Sequence, residues 1–160
     1  MEHSQHFAWD REYQDPSFVS LSNEPSSHLL AFLKWAREDA IHNDRRHPND
    51  LFADSDLRVL DVGCGNGRHA LYMAQQYGSK GVGYDVSPTV IKAARKQSAE
   101  AGLDNLVDFF AQSIADPFKE IEDGSVSLVV DAMASHALYV GEHTMLLKEL
   151  HRTMNADGWL

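Results

Sequence analysis

Val59-Leu60-Asp61-Val62-Gly63-Cys64-Gly65-Asn66-Gly67 is the stretch that decides how this chain folds. From Arg58 to Val62 a short β-branched run reads as a buried strand, and it gives way at once to three glycines at alternate positions. Beyond them, Ala70, Leu71, Met73 and Ala74 recur at helical spacing through Tyr77. The order is strand, tight turn, helix. Glycines at such a turn allow the backbone to bend sharply and let a ligand come close to the main chain.

Downstream, the same alternation repeats. Residues 81–84 form a second strand that ends at Asp85, and Ser87-Pro88 opens a helix through Ala101, with Ser87 as N-cap and Pro88 at the first helical position. Gly102 stops it. Residues 107–111 and 126–130 make a third and a fourth strand, and 142–154 an amphipathic helix with Leu146, Leu147 and Leu150 inward. Trp159-Leu160 reads as the opening of a further strand that does not arrive. Upstream, residues 25–41 place Leu29, Leu30, Phe32, Leu33, Trp35 and Ala36 on a helical stripe, and the aperiodic, polar stretch from 42 to 56 reads as a surface loop. Alternating strands and helices imply an α/β fold with a mainly parallel sheet, helices on both faces and ligands at the strand carboxyl ends.

With 160 residues, 43% of them hydrophobic, the chain can bury a single core, so one globular unit is expected. A net charge of −10 opposes a phosphate-rich partner, and Arg45, Arg46 and His47 beside Asp44 and Asp50 read as a solvated loop, so no nucleic acid is expected. No run approaches the ~18 apolar residues of a membrane span, and neither a membrane partner nor a location outside the cytoplasm is expected. Cys64 is the lone cysteine, which excludes an intrachain disulfide and a cysteine metal cluster. Its expected role is to fill the turn, not to act as a nucleophile. His136, His143 and His151 lack companions at ligand spacing, so no metal is expected.

The ligand can be argued from two departures from the dinucleotide fingerprint. Its third glycine would fall at Arg68, and Asp61 puts a carboxylate where a pyrophosphate would be repelled. A cationic ligand without phosphate suits the loop better, and S-adenosylmethionine offers an ammonium and a sulfonium. Asp85, 22 residues after Gly63, stands where an acidic side chain meets ribose hydroxyls. An NAD(P)-dependent oxidoreductase is the rival on the same architecture, and the same two departures count against it.

VLDVGCGNGRHALYMA (59–74) resembles the first motif of class I S-adenosylmethionine-dependent methyltransferases. GVGYDVSPTVIKAARKQ, VDFFAQSIADPF, VSLVVDAMASHAL and ELHRTMNADGWL resemble the segments that follow, and AWDREYQDPSF with the leading helix is similar to an N-terminal cap. The resemblance covers roughly residues 57–160. It implies a three-layer Rossmann-like domain over 57–160, incomplete after the fourth strand and its helix, preceded by a helical cap over 1–56. It also implies methyl transfer from S-adenosylmethionine to a small-molecule acceptor, or a non-catalytic binding module or fragment. Carried over by position, Asp61, Gly63, Cys64, Gly65, Asn66 and Gly67 would hold the methionine portion and Asp85 the ribose. Val86, Ser113 and Ile114 would lie along the adenine, with serine at 113 where many members carry aspartate. Asp131 would lie near the sulfonium. His136 and Tyr13 are candidates on the substrate side; His136 could equally bond to backbone, and Trp9 and Tyr13 would either pack over the cofactor or, by a slight preference, anchor the tail. In the family's sheet order, 3-2-1-4-5-7-6, the fourth strand would be left as an apolar edge, open to pairing with a second copy.

Overall fold

The computed structural model describes residues 4–15, 21–39 and 56–160. Residues 42–55 of the expected surface loop, including Arg45, Arg46 and His47, lie outside the described residues. Two helices come first, α1 (Ser4–Gln14) and α2 (Ser27–Asp39). There follow β1 (Arg58–Val62), α3 (Arg68–Tyr77), β2 (Lys80–Asp85), α4 (Pro88–Glu100), β3 (Val107–Ala111), β4 (Val126–Asp131), a 3-10 turn (Ser135–Ala137), α5 (Val140–Thr153) and β5 (Met154–Trp159).

The sheet runs β3-β2-β1-β4-β5, and every neighbouring pair is parallel. The chain steps outward from β1 to β3, then returns to lay β4 on the other side of β1. That reversal opens a crevice at the carboxyl ends of β1 and β4. Strand alternation divides the core. Leu60 and Val62 of β1 pack with Phe118, Ile121, Leu146 and Leu150 on the α5 face, and Val59 packs with Leu29, Leu33 and Met73 on the face of α2 and α3. Asp61 shares the parity of Val59, so its carboxylate is directed to the α2 and α3 side.

Local signals explain the element ends. Ser87 accepts from Val90 N and caps α4 at 3.3 Å, and Gly78 and Gly102 take the left-handed conformation after α3 and α4. Helix α5 passes into β5 without a connecting loop. Arg152, in its last turn, holds the crossover before β4: it donates to the carbonyls of Phe118 and Ile121 and pairs with Glu149 at 2.8 Å and Asp123 at 2.6 Å.

Two expectations are corrected here. The fourth strand is not an edge, because β5 pairs along it from Val126↔Met154 to Leu128↔Trp159 through an irregular register. Pairing with a second copy through that edge has no free strand to use. What hid β5 is its composition: Met-Asn-Ala-Asp-Gly-Trp has no alternating apolar pattern, and the strand is held by the helix that feeds it and by Trp159. Trp159 packs on Phe32 and Trp35 of α2, with ring centroids 6.0 and 5.6 Å away. Leu147 does not turn inward with Leu146 and Leu150; it is 61% exposed. Residues 4–14, to which the sequence pattern assigned no element, form a further helix ahead of α2.

Candidate active site

All three loop glycines have positive φ, +67° at Gly63, +54° at Gly65 and +79° at Gly67, a region that side chains with a Cβ rarely enter. Two of them are also sterically required. A Cβ at Gly63 would stand 2.1 Å from the Ala134 Cβ, and one at Gly67 2.5 Å from the Phe109 ring. The loop is therefore wedged between the segment after β4 and the β3 side of the core. Over Gly65 the nearest atom is the Tyr13 hydroxyl, 3.7 Å from where a Cβ would be, so α1 roofs the loop.

The two carboxylates differ sharply. Asp85 is 5% exposed; its Oδ2 accepts from Gly65 N and its Oδ1 from Ser87 N, both at 3.0 Å. Burial pushes its carboxyl above the usual carboxylate range, against the two amide donors. Asp61 is fully buried, and neither of its oxygens has a hydrogen-bond partner. Beyond the loop stands His69, whose Nδ1 lies 3.8 Å from Oδ1. An unpaired carboxylate in that position costs several kcal/mol until something cationic or donating reaches it.

A cavity of about 240 Å³ opens beside the loop, lined by Gly63, Asp85, Val86 and Ile114 below and by Trp9 and Tyr13 of α1 above. Helix α1 is latched there by Asp10. The Asp10 carboxylate accepts from Ser87 Oγ at 2.5 Å and Thr89 N at 3.0 Å, at the N-terminus of α4, and the Ser87 bond is the main reason its carboxyl is held below the usual range. Trp9 and Tyr13 both line the cavity, and burial, reinforced by the Asp85 charge, pushes the Tyr13 phenol up.

A second cavity, about 590 Å³, lies beyond Ala132 and Met133, which border both. Its walls include Leu29, Phe32, Leu128 and Val130, with Arg68 and Asp131 as charged members. Between the cavities Met133 has φ 78°, the sole positive φ outside glycine among the described residues, a strained setting of the kind found at ligand-handling loops.

The remaining site candidates fall into two groups. Cys64 is 4% exposed and packed with Ala70, Ala94 and Phe109; burial first, then the Asp61 and Asp85 charges, push its thiol well up, as expected of a filler of the turn. Asn66 is buried, and its side-chain amide donates to Ser22 O and Asn23 Oδ1 at 3.2 and 3.1 Å, tying the loop to the segment before α2 rather than facing the cavity. Ser113 Oγ accepts from Ala115 N at 3.2 Å and does not line the cavity that Ile114 lines. Asp131 borders the larger cavity, its Oδ1 accepting from Ala134 N and Ser135 N at 2.9 and 3.3 Å. His136, in the 3-10 turn, is exposed and lines neither. The sequence pattern missed His69, Asp10 and Arg68 as site residues. For Asp10, its spacing from Tyr13 on one helix face was the available signal.

Residues 59–158 match the model of the methyltransferase-domain family. The chain belongs to this family. The methyltransferase domain is 39% identical over 82 residues to 2-heptyl-1-hydroxyquinolin-4(1H)-one methyltransferase of Mycobacteroides abscessus, covering 51% of this chain and 34% of that one. Among solved structures, PKMT2 of Rickettsia typhi in complex with AdoHcy shares 27% identity over 65% of this chain and 20% of that one, with a TM-score of 0.58. A protein solved in connection with the conversion of a disulfide bond into a thioacetal group during echinomycin biosynthesis has the same fold at 23% identity. That match covers 94% of this chain and 56% of the other, with a TM-score of 0.70. The chain thus spans about a third of the curated relative, a fifth of one solved structure and somewhat over half of the other. Within the described residues no helix is long and apolar enough to cross a membrane.

Proposed function

We propose that this methyltransferase domain binds S-adenosylmethionine across the carboxyl ends of β1, β2 and β4 and presents its methyl group to a small-molecule acceptor. One observation carries the reading: Asp61, which lines neither cavity itself, is fully buried with both oxygens unpartnered two residues before the first of the left-handed glycines. A pyrophosphate would add repulsion to an already unfavourable charge, whereas an ammonium would offset it. The donor set fits the methionine portion of the cofactor. In this reading Asp61 and the main chain of the glycine loop at Gly63, Gly65 and Gly67 hold that portion, Asp85 keeps lone pairs for the ribose hydroxyls, and Val86 and Ile114 flank the adenine. Residues 1–56 serve as the cap, with Trp9 and Tyr13 excluding water from above.

When bound, the cofactor supplies a methyl group activated on a sulfonium. The protein's share is alignment, which in well-oriented systems is equivalent to ~10⁵ M or more of effective concentration. The acceptor enters through the larger cavity, whose apolar walls suit a lipophilic molecule and whose Arg68 and Asp131 supply polar handles. The Mycobacteroides abscessus relative, named for a quinolone acceptor, agrees with that class.

Calorimetric titration tests the cofactor half. S-adenosylhomocysteine is expected to bind and NADH not to; no binding of the former at millimolar concentration by folded protein, or binding of the latter, would overturn the assignment. Transfer of a labelled methyl group to lipophilic phenols or hydroxyquinolines tests the acceptor half. Cofactor binding without transfer to any of them would favour a binding module.

A further inference from the structure

His69 is the second residue of α3 and is 3% exposed. Its Nε2 accepts a hydrogen bond from the backbone N–H of Ser26 at 3.2 Å. A ring nitrogen that accepts from an amide carries no proton, so the single proton of the neutral imidazole is on Nδ1. That nitrogen faces Asp61 Oδ1 at 3.8 Å. Ser26 in turn begins α2: its Oγ accepts from Leu29 N at 3.2 Å and its carbonyl from Leu30 N at 3.1 Å. One buried ring thus spans from the first turn of α2 to the carboxylate at the end of β1.

We propose that His69 is a positioning residue for the cofactor, locked in its Nδ1–H tautomer by α2 so that it orients the Asp61 carboxylate toward the glycine loop. The proposal rests on the reading of Asp61 as the seat of the cofactor's ammonium. Its physical content lies in the distance and the tautomer. At 3.8 Å the N–H dipole attracts the carboxylate but forms no hydrogen bond with it, which leaves both oxygens for a ligand. With Nε2 taken by the Ser26 N–H, the ring turns a single N–H, on Nδ1, toward Asp61. The ring therefore offsets part of the burial of Asp61 without satisfying it. It also makes the seating of α2 felt at the ligand site, through Ser26, His69 and Asp61 in series.

The test uses the whole chain and two variants that each retain one half of the ring's chemistry. His69→Asn leaves an amide near Nδ1, facing Asp61, and loses the partner of Ser26; His69→Gln leaves a polar group near Nε2 and loses the donor facing Asp61. S-adenosylhomocysteine is expected to bind His69→Gln about tenfold more weakly than wild type, ~1.4 kcal/mol. His69→Asn is expected to stay within about threefold of wild type, ~0.65 kcal/mol by the same conversion, although it melts at lower temperature. A merely structural role would order affinity as it orders stability. Nitrogen NMR of the wild-type ring, recorded without ligand, should show a protonated Nδ1 and a bare Nε2. An Nε2–H tautomer or an imidazolium there, or His69→Gln binding as tightly as wild type, overturns the proposal. No binding by the wild type would overturn the cofactor reading and this proposal together, which is a different result from tight binding that ignores the ring.

Discussion

Asp61 and Asp85 lie in the carboxyl-terminal halves of neighbouring parallel strands, both are buried, and they have opposite relations to the chain around them. Asp85 is built in: its two oxygens take the amides of Gly65 and Ser87, so it shapes the glycine loop and the entry to α4 before any ligand arrives. Asp61 is left over, with no donor on either oxygen. The contrast separates construction from reserve. A carboxylate whose bonds are made within the fold stabilises the fold, and one whose bonds are withheld stabilises only a complex.

The severest way to break the comparison is to remove the loop that both carboxylates share. Gly63→Ala places a Cβ 2.1 Å from Ala134 in a left-handed conformation, so a loss of about 2–4 kcal/mol in urea unfolding is expected, with no measurable S-adenosylhomocysteine binding. Near-normal stability would mean that the contact with Ala134 yields freely. Separate substitutions sharpen the contrast. Asp85→Ala is expected to lose about 1–3 kcal/mol of stability through two orphaned amides, as well as affinity. Asp61→Asn should leave stability unchanged or higher, because a buried unpaired charge is gone, yet bind S-adenosylhomocysteine at least about tenfold more weakly, ~1.4 kcal/mol. Equal stability losses in the two variants would erase the distinction.

A third carboxylate extends the comparison to pH. Asp10 is held below the usual range by its bond to Ser87, so its folded pKa is depressed. The stabilisation it lends to α1 is therefore complete above the ordinary aspartate value of about 3.9 and is lost as pH falls through the lower folded value. Trp9 fluorescence is expected to change as pH falls through the lowered Asp10 value, below any change that the raised Asp85 carboxyl produces in the same cavity, and Asp10→Asn should remove the lower of the two. The smallest effect concerns Cys64. Buried beside both carboxylates, with its thiol pushed up, it should react with a thiol reagent far more slowly in the folded protein than in denaturant. Rapid labelling of the folded chain would show that the loop opens.

Much of this could be read from residues in order. The strands at 58–62 and 107–111, the helix over 68–77 and the Ser87-Pro88 start of α4 needed only periodicity, caps and glycines, which are local properties. Asp61 and Asp85 could be singled out because the spacing from strand to glycine to acid is itself a chain distance. Periodicity misled at α5, where Leu146 and Leu147 are both apolar but only one can face the sheet, and it was silent for β5, whose pairing comes from position rather than pattern.

By itself, then, the sequence determined the alternation of strands and helices, the left-handed turn and the acidic residues at its borders, since each follows from a residue's own conformational preference and its neighbours. Only the tertiary structure decided which of those acids was satisfied. Whether an oxygen finds a donor depends on groups far away in the chain: Gly65 and Asp85 are 20 positions apart, Asp10 and Ser87 77, Ser26 and His69 43. Hydrogen bonding is short in range and indifferent to chain distance, so a residue's role in the site is set by what folding brings within about 3 Å of it.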